Sequence, residues 1–482
     1  MGITVPPTSL ILDLGDVLFT WSPATETSIT PRVVKNILQS PTWFDFERGH
    51  ITQDECHARV AQEFSIARDE LHRAVEQARH SFEPDNRLVD FIRQLKAESG
   101  GTLRVYALSN ISVPDLDYLR IKAGASWSIF DAVFASGLIG ERKPHLGIFK
   151  HVISETNIDP QTTVFVDDKP DNVLSARSLG MCGVIFTAAD EAMRALGNIF
   201  GDPVQRGRRY LYQNAQRLQS VTGTGDVLLE NFSQLLILEL TGDRALVSIK
   251  EHSLTWNLFQ EISSLYQEFP DDLDTTSLAM TALRTGPEIA NNVMNEMLKY
   301  KDDDGIIMTY FDFGRQRICP FVAANVLTMF YTYGRGHELE ETLSWIRDVL
   351  KFRAYTEGSR YYHSADIFLY LINRLVLCSN DQLLHQELEN LLSARVKERV
   401  GTAGNALELA LRLIVCASLG ITNDIDTSRL LSMQCHDGGW DDGVCCLIGA
   451  TDLAIKNRGL TTAAAVRAIS MIQKRTGATQ KY

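Results

Sequence analysis

The segment Ser9–Leu18, SLILDLGDVL, begins with an apolar run that ends at the carboxylate of Asp13. Runs of the same kind recur downstream as LRVYALSN at 103–110, AVFAS at 132–136, TVFVDD at 163–168 and GVIF at 183–186. Short apolar, β-branched runs that alternate with helical segments are typical of parallel strands buried on both faces. From Ser9 to about Phe186 the sequence therefore predicts an α/β domain with a parallel sheet and crossover helices.

A long insertion, about residues 20–95, separates the first two of these runs. It has helical periodicity, and Thr52 followed three residues later by Glu55 forms a capping box, which predicts the start of a helix. An insertion of this size beside the first strand is expected to form a helical cap over the crevice where open α/β sheets bind ligands.

Polar side chains follow the predicted strands. In chain order they are Asp13, Ser109, Asn110, Lys143 in ERKPHLGIF, Asp167, Asp168 and Asn172. Taken singly, an Asp at a strand end is more often a helix N-cap, and Lys-Pro is more often a loop. Gathered at one sheet edge, the carboxylates would offer hard oxygen ligands to Mg²⁺, while the Lys and Ser would bind phosphoryl oxygens. A carboxylate at a strand tip can also attack phosphorus directly.

The order Asp, Ser-Asn, Lys-Pro, Asp-Asp-x-x-x-Asn resembles that of the haloacid dehalogenase-like hydrolase superfamily with a helical cap, and the likeness covers about 200 residues. The resemblance implies a Rossmannoid sheet, Asp13 as nucleophile and metal ligand, and Mg²⁺ as cofactor. It further implies that Ser109, Asn110 and Lys143 bind the phosphate, and that Asp168, supported by Asp167, supplies the other metal carboxylates.

One position departs from that pattern. Phosphatases of the superfamily usually carry a second Asp two residues after the nucleophile, and here that position is Gly15. The Gly15 carbonyl can still bind Mg²⁺, but the general acid is missing, and such help is worth roughly 10² to 10⁴ in rate. A diphosphate needs this acid less than a monophosphate ester does, because its leaving group is a weakly basic phosphate.

The pattern changes near residue 202, in GDPVQRGRR at 201–209, which predicts a boundary between domains 1–202 and 203–482. Beyond it nearly every segment is predicted to be helical, as in DVLLENFSQLLILEL, VAANVLTMFYTYG and ALELALRLIVCASLG. Helices of 12 to 18 residues with a broad apolar face indicate an all-α domain of roughly 270 residues.

Two motifs stand out in this second half. Asp272, Asp274, Thr275 and the following residues spell D-x-D-T-T-S ahead of an apolar helical run, and Gln434 to Trp440 spells Q-x-x-x-G-x-W. Taken alone, the first motif is more simply interpreted as a helix start, because Asp and Thr are favoured N-caps. In the second, a Gln that caps a helix beneath a stacked Trp ring would tie successive helices together.

Together the two motifs resemble the β-domain of class II terpene cyclases, an α/α-barrel family. The D-x-D-T-T form is similar to that of drimane-type sesquiterpene synthases, in which this barrel follows a haloacid dehalogenase-like domain, so the resemblance covers essentially the whole chain. It implies that Asp274 protonates the terminal alkene of farnesyl diphosphate, while Asp272 and Thr275 hold the geometry of its carboxyl group.

Such an acid must stay neutral near pH 7, which burial in an apolar cavity provides. The resulting cation must be kept from water and stabilised by ring faces, for which each single ring could equally be core packing. The candidate rings are Tyr310, Phe311, Phe313, Phe330, Tyr331, Tyr361, Tyr362 and Phe368. Arg315, Arg317 and Arg458 are candidates to bind the diphosphate or to form surface pairs, and the acidic run 302–304 is predicted to be a solvated turn.

The composition limits the classes of partner that the chain is expected to bind. The 482 residues carry a net charge of −13, which argues against a general nucleic-acid binder but permits a local phosphate site. No stretch reads as a secretory signal or as a run of 18 apolar residues, so no membrane span is predicted. The eight scattered cysteines favour reduced thiols and a cytoplasmic location. The expected partner is a small prenyl diphosphate, and no feature specifies an oligomeric state.

Three functions follow as hypotheses. In the first, a bifunctional synthase cyclises farnesyl diphosphate to a drimane-type diphosphate and then removes phosphate to give an alcohol such as albicanol or drimenol. In the second, a weakened N-terminal phosphatase leaves the product as a diphosphate or monophosphate. In the third, a small-molecule phosphatase carries a helical interaction module, and the residues around Asp274 form a filled core.

Overall fold

The computed structural model describes residues 7–252, 254–261, 269–379, 381–448 and 453–479, with side chains as far as residue 475. The chain divides into two compact units, Met1–Gly201 and Asp202–Tyr482. Within the described ranges, every helix is too short or too polar to cross a bilayer.

The first unit is built on a parallel sheet, as predicted. Its strands, in chain order, are β1 (Ser9–Leu12), β2 (Phe19–Thr20), β3 (Glu83–Pro84), β4 (Arg104–Ser109), β5 (Ala132–Ala135), β6 (Thr163–Asp167) and β7 (Cys182–Ile185). Five of them pair side by side in the order β5-β4-β1-β6-β7, and every pairing is parallel. The first strand is therefore central, and the side chains that follow it are brought between those that follow β4 and β6.

Helices cover this sheet. They are α1 (Pro31–Leu38), α2 (Pro41–Glu47), α3 (Gln53–Glu63), α4 (Arg68–His80), α5 (Asn86–Glu98), α6 (Val113–Ala123), α7 (Ser136–Ile139), α8 (Leu146–Thr156), α9 (Pro170–Ser178) and α10 (Ala189–Phe200), with 3₁₀ turns at Gly124–Ile129 and Pro160–Thr162. Leu10 and Leu12 belong to one apolar cluster and Ile11 to another, because alternate residues of a strand point to opposite faces. Both faces of β1 are thus buried, which explains its uninterrupted apolar run.

The insertion after β1 has a core of its own. Helices α1 to α4 bury Ile37, Trp43, Phe46 and Val60 against one another. The capping box predicted at Thr52 is present at the start of α3, with both reciprocal hydrogen bonds. Helix α5, which begins inside the predicted range 20–95 and ends at Glu98, instead packs its apolar face against the sheet. The two chain crossings that bound the α1–α4 bundle lie side by side, because β2 pairs with β3.

The second unit is rich in helices, as predicted. They are α11 (Pro203–Gln213), α12 (Phe232–Thr241), α13 (Leu273–Ala282), α14 (Pro287–Met297), α15 (Pro320–Thr332), α16 (Glu340–Lys351), α17 (Ala365–Cys378), α18 (Gln382–Arg399), α19 (Ala406–Ser418), α20 (Asp424–Ser432) and α21 (Arg458–Thr479), with 3₁₀ turns at Arg244–Leu246 and Gly336–Leu339. Neighbouring pairs are α13 with α15, α15 with α17, α17 with α19, α19 with α21, α21 with α12, and α12 with α13.

The prediction of an all-α domain was wrong, because this unit also contains a small antiparallel sheet. Its strands are β8 (Ser220–Thr222), β9 (Val227–Leu228), β10 (Gly443–Ile448) and β11 (Leu453–Asn457), in the order β10-β11-β8-β9. Two of these strands have only two or three residues. A short apolar run such as GVCCLI cannot be told from buried helix by periodicity, so the pattern gave no clear strand signal.

Candidate functional sites

The first site lies at the carboxyl edge of the parallel sheet and is centred on Lys143. The Lys143 ammonium lies 3.0 Å from a carboxylate oxygen of Asp13 and 2.6 Å from one of Asp167, and it donates to the Leu108 carbonyl at 2.7 Å. Lys143 is 1% exposed and Asp167 is fully buried. An ammonium held by three oxygens in this way fixes the two carboxylates at the tips of β1 and β6.

Two asparagines hold this arrangement. Asn110, directly after β4, exchanges two hydrogen bonds with the backbone of Lys143: its amide donates to the carbonyl at 3.0 Å, and its oxygen accepts from the N–H at 2.8 Å. Asn172, in the first turn of α9, donates to both oxygens of Asp167 at 2.9 and 3.1 Å. Ser109 is buried at the end of β4. The structure therefore gathers the polar residues that were predicted to share one sheet edge.

Burial controls the protonation of this cluster. It raises the pKa of Asp13 to about 7, an effect opposed by the charge of Lys143 and reinforced by that of Asp167. Burial alone would lower the pKa of Lys143, but the two carboxylates outweigh it and the pKa of the ammonium is raised. Lys143 therefore stays positively charged and can hold anionic oxygen atoms.

The same carboxylates could hold a metal ion. Ligand oxygens of Asp13, Asp167 and Asp168 all lie within 4.8 Å of one another. Asp168 is partly exposed and pairs with Lys169 at 2.5 Å. Three carboxylates are the hard oxygen donors that suit Mg²⁺, so the donor set fits this ion.

The position of the missing acid is open. A Cβ atom added at Gly15 would meet no atom within 4 Å. The neighbouring Asp16 is exposed and has a left-handed backbone, with φ of 57°. Room for a side chain is therefore present at residue 15.

The cap contributes a buried ion pair to this region. Glu47, at the end of α2, accepts two hydrogen bonds from the Arg142 guanidinium at 3.0 and 3.2 Å, and both side chains are largely buried. Burial raises the pKa of Glu47 to about 7, against the opposing charge of Arg142. Since Arg142 precedes Lys143, the pair connects the cap to the loop that carries the ammonium. This pair was not predicted, because its members are 95 residues apart in the chain.

The second site lies at the start of α13. Asp272 is the N-cap: one of its oxygens accepts from the Thr275 backbone N–H at 2.6 Å and the other from the Thr275 hydroxyl at 3.0 Å. The helix-start interpretation of D-x-D-T-T-S is thus correct for Asp272. It does not account for Asp274, which lies in the first turn and is 7% exposed.

Asp274 is held by Asn325, which was not predicted, and by Tyr362, which was predicted only as a candidate ring of the cavity. One carboxyl oxygen accepts from the Asn325 amide at 2.6 Å, and the other shares a short hydrogen bond with the Tyr362 hydroxyl. Behind Asn325, Arg374 donates to the Asn325 oxygen and forms a bidentate pair with Glu239 at 2.5 and 2.6 Å. A polar residue within the apolar runs of α15 and α17 is the signal that could have identified Asn325 and Arg374.

Both acids of the motif line one cavity. Its walls are mostly apolar and aromatic, and the described lining residues are Phe232, Leu258, Phe269, Asp272, Asp274, Thr275, Thr309, Tyr310, Val322, Tyr361, Tyr362, Cys446, Leu447 and Ile448. Burial raises the pKa of Asp274, although Tyr362, Asn325 and Arg374 oppose the rise. The pKa of Asp272 is raised well above its usual value by burial and by the charge of Asp274. The cavity therefore favours carboxyl groups in their neutral form.

Three of the eight candidate rings, Tyr310, Tyr361 and Tyr362, line the cavity. Phe232 and Phe269 also line it and were not among the candidates. Phe330 and Phe368 are fully buried in the core of the unit, and Phe313 is exposed and stacks on Tyr300. The remaining candidates, Phe311 and Tyr331, pack against the core.

The three candidate arginines lie in different surroundings. Arg317 donates to the hydroxyl of the cavity residue Tyr361 at 3.4 Å, and Arg315 lies 3.2 Å from Asp312. Arg458 forms a bidentate pair with Asp437 at 2.8 and 2.9 Å and is absent from the described cavity lining. Arg317 is therefore linked to the cavity, and so is Arg315, whose guanidinium lies 5.9 Å from the ring centroid of the cavity residue Tyr310. The acidic run 302–304 forms a turn in which Asp302 accepts from the N–H groups of residues 304 and 306.

The Q-x-x-x-G-x-W motif joins helices. The Gln434 amide donates to the carbonyls of Pro203 and Gly438 at 3.0 and 2.9 Å. Trp440 is fully buried, and its indole N–H donates to the Leu430 carbonyl at 2.8 Å. The motif thereby ties the end of α20 to the start of α11.

Models of two protein families match the chain. Residues 17–180 match the haloacid dehalogenase-like hydrolases, and residues 204–333 match the sesquiterpene cyclase astC-like C-terminal domain. The first match includes Lys143, Asp167 and Asp168 but begins after Asp13, and the second includes Asp274.

Individual relatives match one or both parts. The chain is 46% identical to drimenol cyclase drtB of Aspergillus calidoustus over 464 residues, which cover 96% of this chain and 88% of the relative. It is 36% identical to sesquiterpene phosphatase astK of Aspergillus oryzae over 177 residues, or 37% of this chain and 88% of the relative.

Solved structures resemble the first unit. A predicted haloacid dehalogenase-like hydrolase of Porphyromonas gingivalis is 22% identical, with 41% of this chain and all of that chain covered and a TM-score of 0.34. A family enzyme of Bacteroides thetaiotaomicron, solved with magnesium and inorganic phosphate, is 21% identical over 38% of this chain and 95% of that chain, with a TM-score of 0.32.

Proposed function

We propose that this chain, which belongs to the drimenol cyclase family, acts on farnesyl diphosphate in two steps. It is a drimane sesquiterpene synthase that joins a terpene cyclase to a haloacid dehalogenase-like phosphatase. In the first step, protonation closes the chain to a drimane-type bicyclic diphosphate. In the second, the phosphatase removes phosphate to give a drimane alcohol such as drimenol or albicanol.

One observation carries the first step: a buried carboxyl group with a raised pKa in a cavity walled by apolar and aromatic side chains. Asp274 is the proposed acid. Its O–H bond breaks as a C–H bond forms at the terminal alkene, and the cation that results is shielded from water by the walls. The ring faces of Tyr310, Tyr361 and Tyr362 can stabilise this cation. A cavity beside Asp274 also argues against a helical module with a filled core.

Asp272 and Thr275 are proposed to position the acid. Their two hydrogen bonds fix the N-cap of α13, and Asp274 lies in the first turn of that helix. Arg317, beside Tyr361, is proposed to bind the diphosphate of the substrate, with Arg315 nearby in sequence. Arg458 is less suited to this role because Asp437 already holds both of its terminal nitrogens.

The order of helix neighbours supports a closed α/α-barrel. Helices α12, α13, α15, α17, α19 and α21 each pack against the next, and the last packs against the first. Asp274, Asn325 and Arg374 lie on three of these helices, α13, α15 and α17. We propose that the ring encloses the cyclase cavity.

For the second step Asp13 is the proposed nucleophile. Its carboxylate attacks the terminal phosphorus and forms an aspartyl phosphate, with the drimane monophosphate as leaving group in a first round and the drimane alcohol in a second. Water then hydrolyses each acyl phosphate and releases inorganic phosphate. Lys143, Ser109 and Asn110 bind or position the phosphoryl group, with Lys143 neutralising its charge. A Mg²⁺ ion bound by Asp13, Asp167, Asp168 and the Gly15 carbonyl would supply Lewis-acid charge stabilisation. We place both reactions in the cytoplasm, in keeping with eight free cysteines.

Gly15 favours a second candidate, in which dephosphorylation is incomplete and the product leaves as a diphosphate or monophosphate. Without an acid at residue 15, expulsion of an alkoxide is slowed more than expulsion of a phosphate. The phosphorylation state of the product distinguishes the two candidates.

The proposal is tested by incubating purified protein with farnesyl diphosphate and Mg²⁺ and analysing products by mass spectrometry. We expect Asp274→Asn to abolish bicyclic products, because the amide has no acidic proton. We expect Asp13→Asn to accumulate the cyclised diphosphate, because only the nucleophile is lost. Bicyclic product from Asp274→Asn would show that another group is the acid.

A further inference from the structure

Both ends of the Asn325 side-chain amide are hydrogen-bonded to neighbouring side chains. The Arg374 guanidinium faces its oxygen, and a carboxyl oxygen of Asp274 faces its nitrogen at 2.6 Å. Arginine can only donate hydrogen bonds, so the group of Asn325 that faces Arg374 must be the amide oxygen. The Asn325 NH₂ group is thereby directed toward Asp274, in one orientation of the amide.

This orientation decides which oxygen of Asp274 carries the proton. Oδ1 accepts from the Asn325 NH₂ group, and a proton on Oδ1 would bring two hydrogens into conflict. In the neutral acid the proton therefore belongs on Oδ2, which lies against the hydroxyl of Tyr362, a residue of the cavity wall. A hydroxyl can accept as well as donate, so Tyr362 tolerates both the neutral and the ionised acid.

Arg374 is itself held in place. Two of its nitrogens form a bidentate pair with Glu239 of α12, and the side chain is 8% exposed. The remaining guanidinium nitrogen, Nη1, donates to the side-chain oxygen of Asn325. The planar guanidinium can make both contacts at once, which a lysine ammonium cannot reproduce.

We propose that Arg374, fixed by Glu239, is a positioning residue that orients the Asn325 amide and thereby confines the acidic proton of Asp274 to Oδ2, on the cavity side. The inference rests on the proposed function, in which Asp274 is the acid. When Oδ2 gives its proton to the alkene, the electron pair of the O–H bond remains on the carboxylate. Asn325 and Tyr362 then both donate to that carboxylate, and the charge of Arg374 balances it.

Several titratable groups act on Asp274 from the elements around it. Among the described residues they are Asp272 at the start of its own helix, Cys319 before α15, Tyr362 before α17, Arg374 on α17 and Cys446 on β10. Asn325 and Arg374 both lower the pKa of Asp274 against the effect of burial. Losing either contact therefore makes the acid weaker, and it stays protonated to a higher pH.

The test measures kcat, KM and the pH profile of bicyclic product formation by the purified full-length chain. For Asn325→Leu we expect kcat to fall about 10- to 100-fold, part of the roughly 10² to 10⁴ that a positioned acid supplies, with little change in KM. Its loss of activity at alkaline pH should move to higher pH by about 1, as for a carboxyl that loses a cationic or hydrogen-bonding neighbour. Arg374→Lys, which keeps the charge, should give a smaller pH displacement but a clear loss of kcat.

For Glu239→Gln we expect the pH profile to move in the opposite direction, to lower pH. It leaves Arg374 without its compensating charge, so Asp274 becomes more acidic and activity is lost at a lower pH than in the wild type. Glu239 is 27% exposed in its side chain, which makes this variant the best tolerated of the three. Asn373→Leu is the matched control: Asn373 is a buried asparagine next to Arg374 in sequence, and it accepts from Ser418 instead. Its pH profile should match that of the wild type.

The outcomes distinguish an error in the identity of the acid from an error in the role of Arg374. If Asp274→Asn still makes bicyclic product, the acid has been misassigned and the proposed function fails. If Asp274→Asn is inactive while Asn325→Leu keeps its kcat within threefold and its pH profile unmoved, the positioning role of Arg374 is wrong. Displacement in the same direction for Glu239→Gln and Asn325→Leu, or an equal displacement in Asn373→Leu, would also overturn it.

Discussion

Residue 15 shows how one side chain sets the limits of a reaction. A Cβ atom there meets nothing within 4 Å, and the φ of this glycine is not in the left-handed region, so an acidic side chain would fit without strain. We expect Gly15→Asp to accelerate release of alcohol from a drimane monophosphate by about 10² or more, because it restores a general acid near the leaving group. Initial rates with monophosphate and diphosphate substrates check this.

Gly15→Asn is the matched control, since it fills the same space without a proton to give. Equal acceleration by both variants, or none by Gly15→Asp, would show that acid supply at this position is not what limits the phosphatase.

Asp274 also makes stability depend on pH. Its pKa is raised in the folded state, whereas in the unfolded chain it is about 3.9. The stabilisation of the wild type is therefore full below about pH 4 and is lost as pH rises through the folded-state pKa. Asp274→Asn does not titrate, so its melting temperature should exceed that of the wild type increasingly as pH rises within this window.

The gain is at most about 1.4 kcal/mol for each pH unit in the window. Thermal unfolding of both proteins at a series of pH values measures it, and a difference that does not vary with pH would contradict the shifted pKa.

The polar residues around Asp13 could be predicted because they lie at strand ends or in the segment that follows a strand, and parallel strands bring their carboxyl ends together. Asp274 was predicted from a motif in one short segment. Its partners Asn325, Tyr362 and Arg374 were not predicted as such, because they are 51 to 100 residues distant and meet Asp274 only through packing of α13, α15 and α17.

At the level of elements, α11 and α21 pack closely because residue 207 is glycine. A Cβ atom at Gly207 would lie 2.5 Å from a methyl group of Val466 and 3.0 Å from the Trp440 ring. We expect Gly207→Ala to destabilise the protein by about 1–3 kcal/mol, the usual cost of overpacking. Chemical denaturation measures the change, and Arg208→Ala, an exposed neighbour on the same helix, should change stability by less than about 0.5 kcal/mol.

A Gly207→Ala protein as stable as the wild type would mean that α11 can move away from the Gln434–Trp440 motif.

The helices and strands were predictable in proportion to their length. The capping box at Thr52 fixed one helix start from four residues, whereas β8 and β9 are too short to show any period. They form because β8 pairs with β11 on one side and with β9 on the other.

At the scale of the whole molecule, the change from alternating strands to continuous helices predicted two kinds of architecture. The parallel sheet follows from runs that are apolar throughout, since both faces of β1 are covered. An apolar cavity around Asp274 was expected from the resemblance, but most of its lining could not be predicted, because empty space depends on how helices far apart in sequence leave their side chains. The location of the cavity beside Asp274 is what distinguishes a cyclase from a helical module.

The pairing of β2 with β3 has a consequence for how the molecule opens. The bundle α1–α4 has its own core and is joined to the sheet by two crossings that lie in one ribbon. Such a unit can unfold and refold while the sheet keeps its hydrogen bonds. In native-state hydrogen exchange we expect amides of α3 and α4 to exchange together, at a lower opening free energy than those of β4. Equal protection in both would mean that cap and sheet form one cooperative unit.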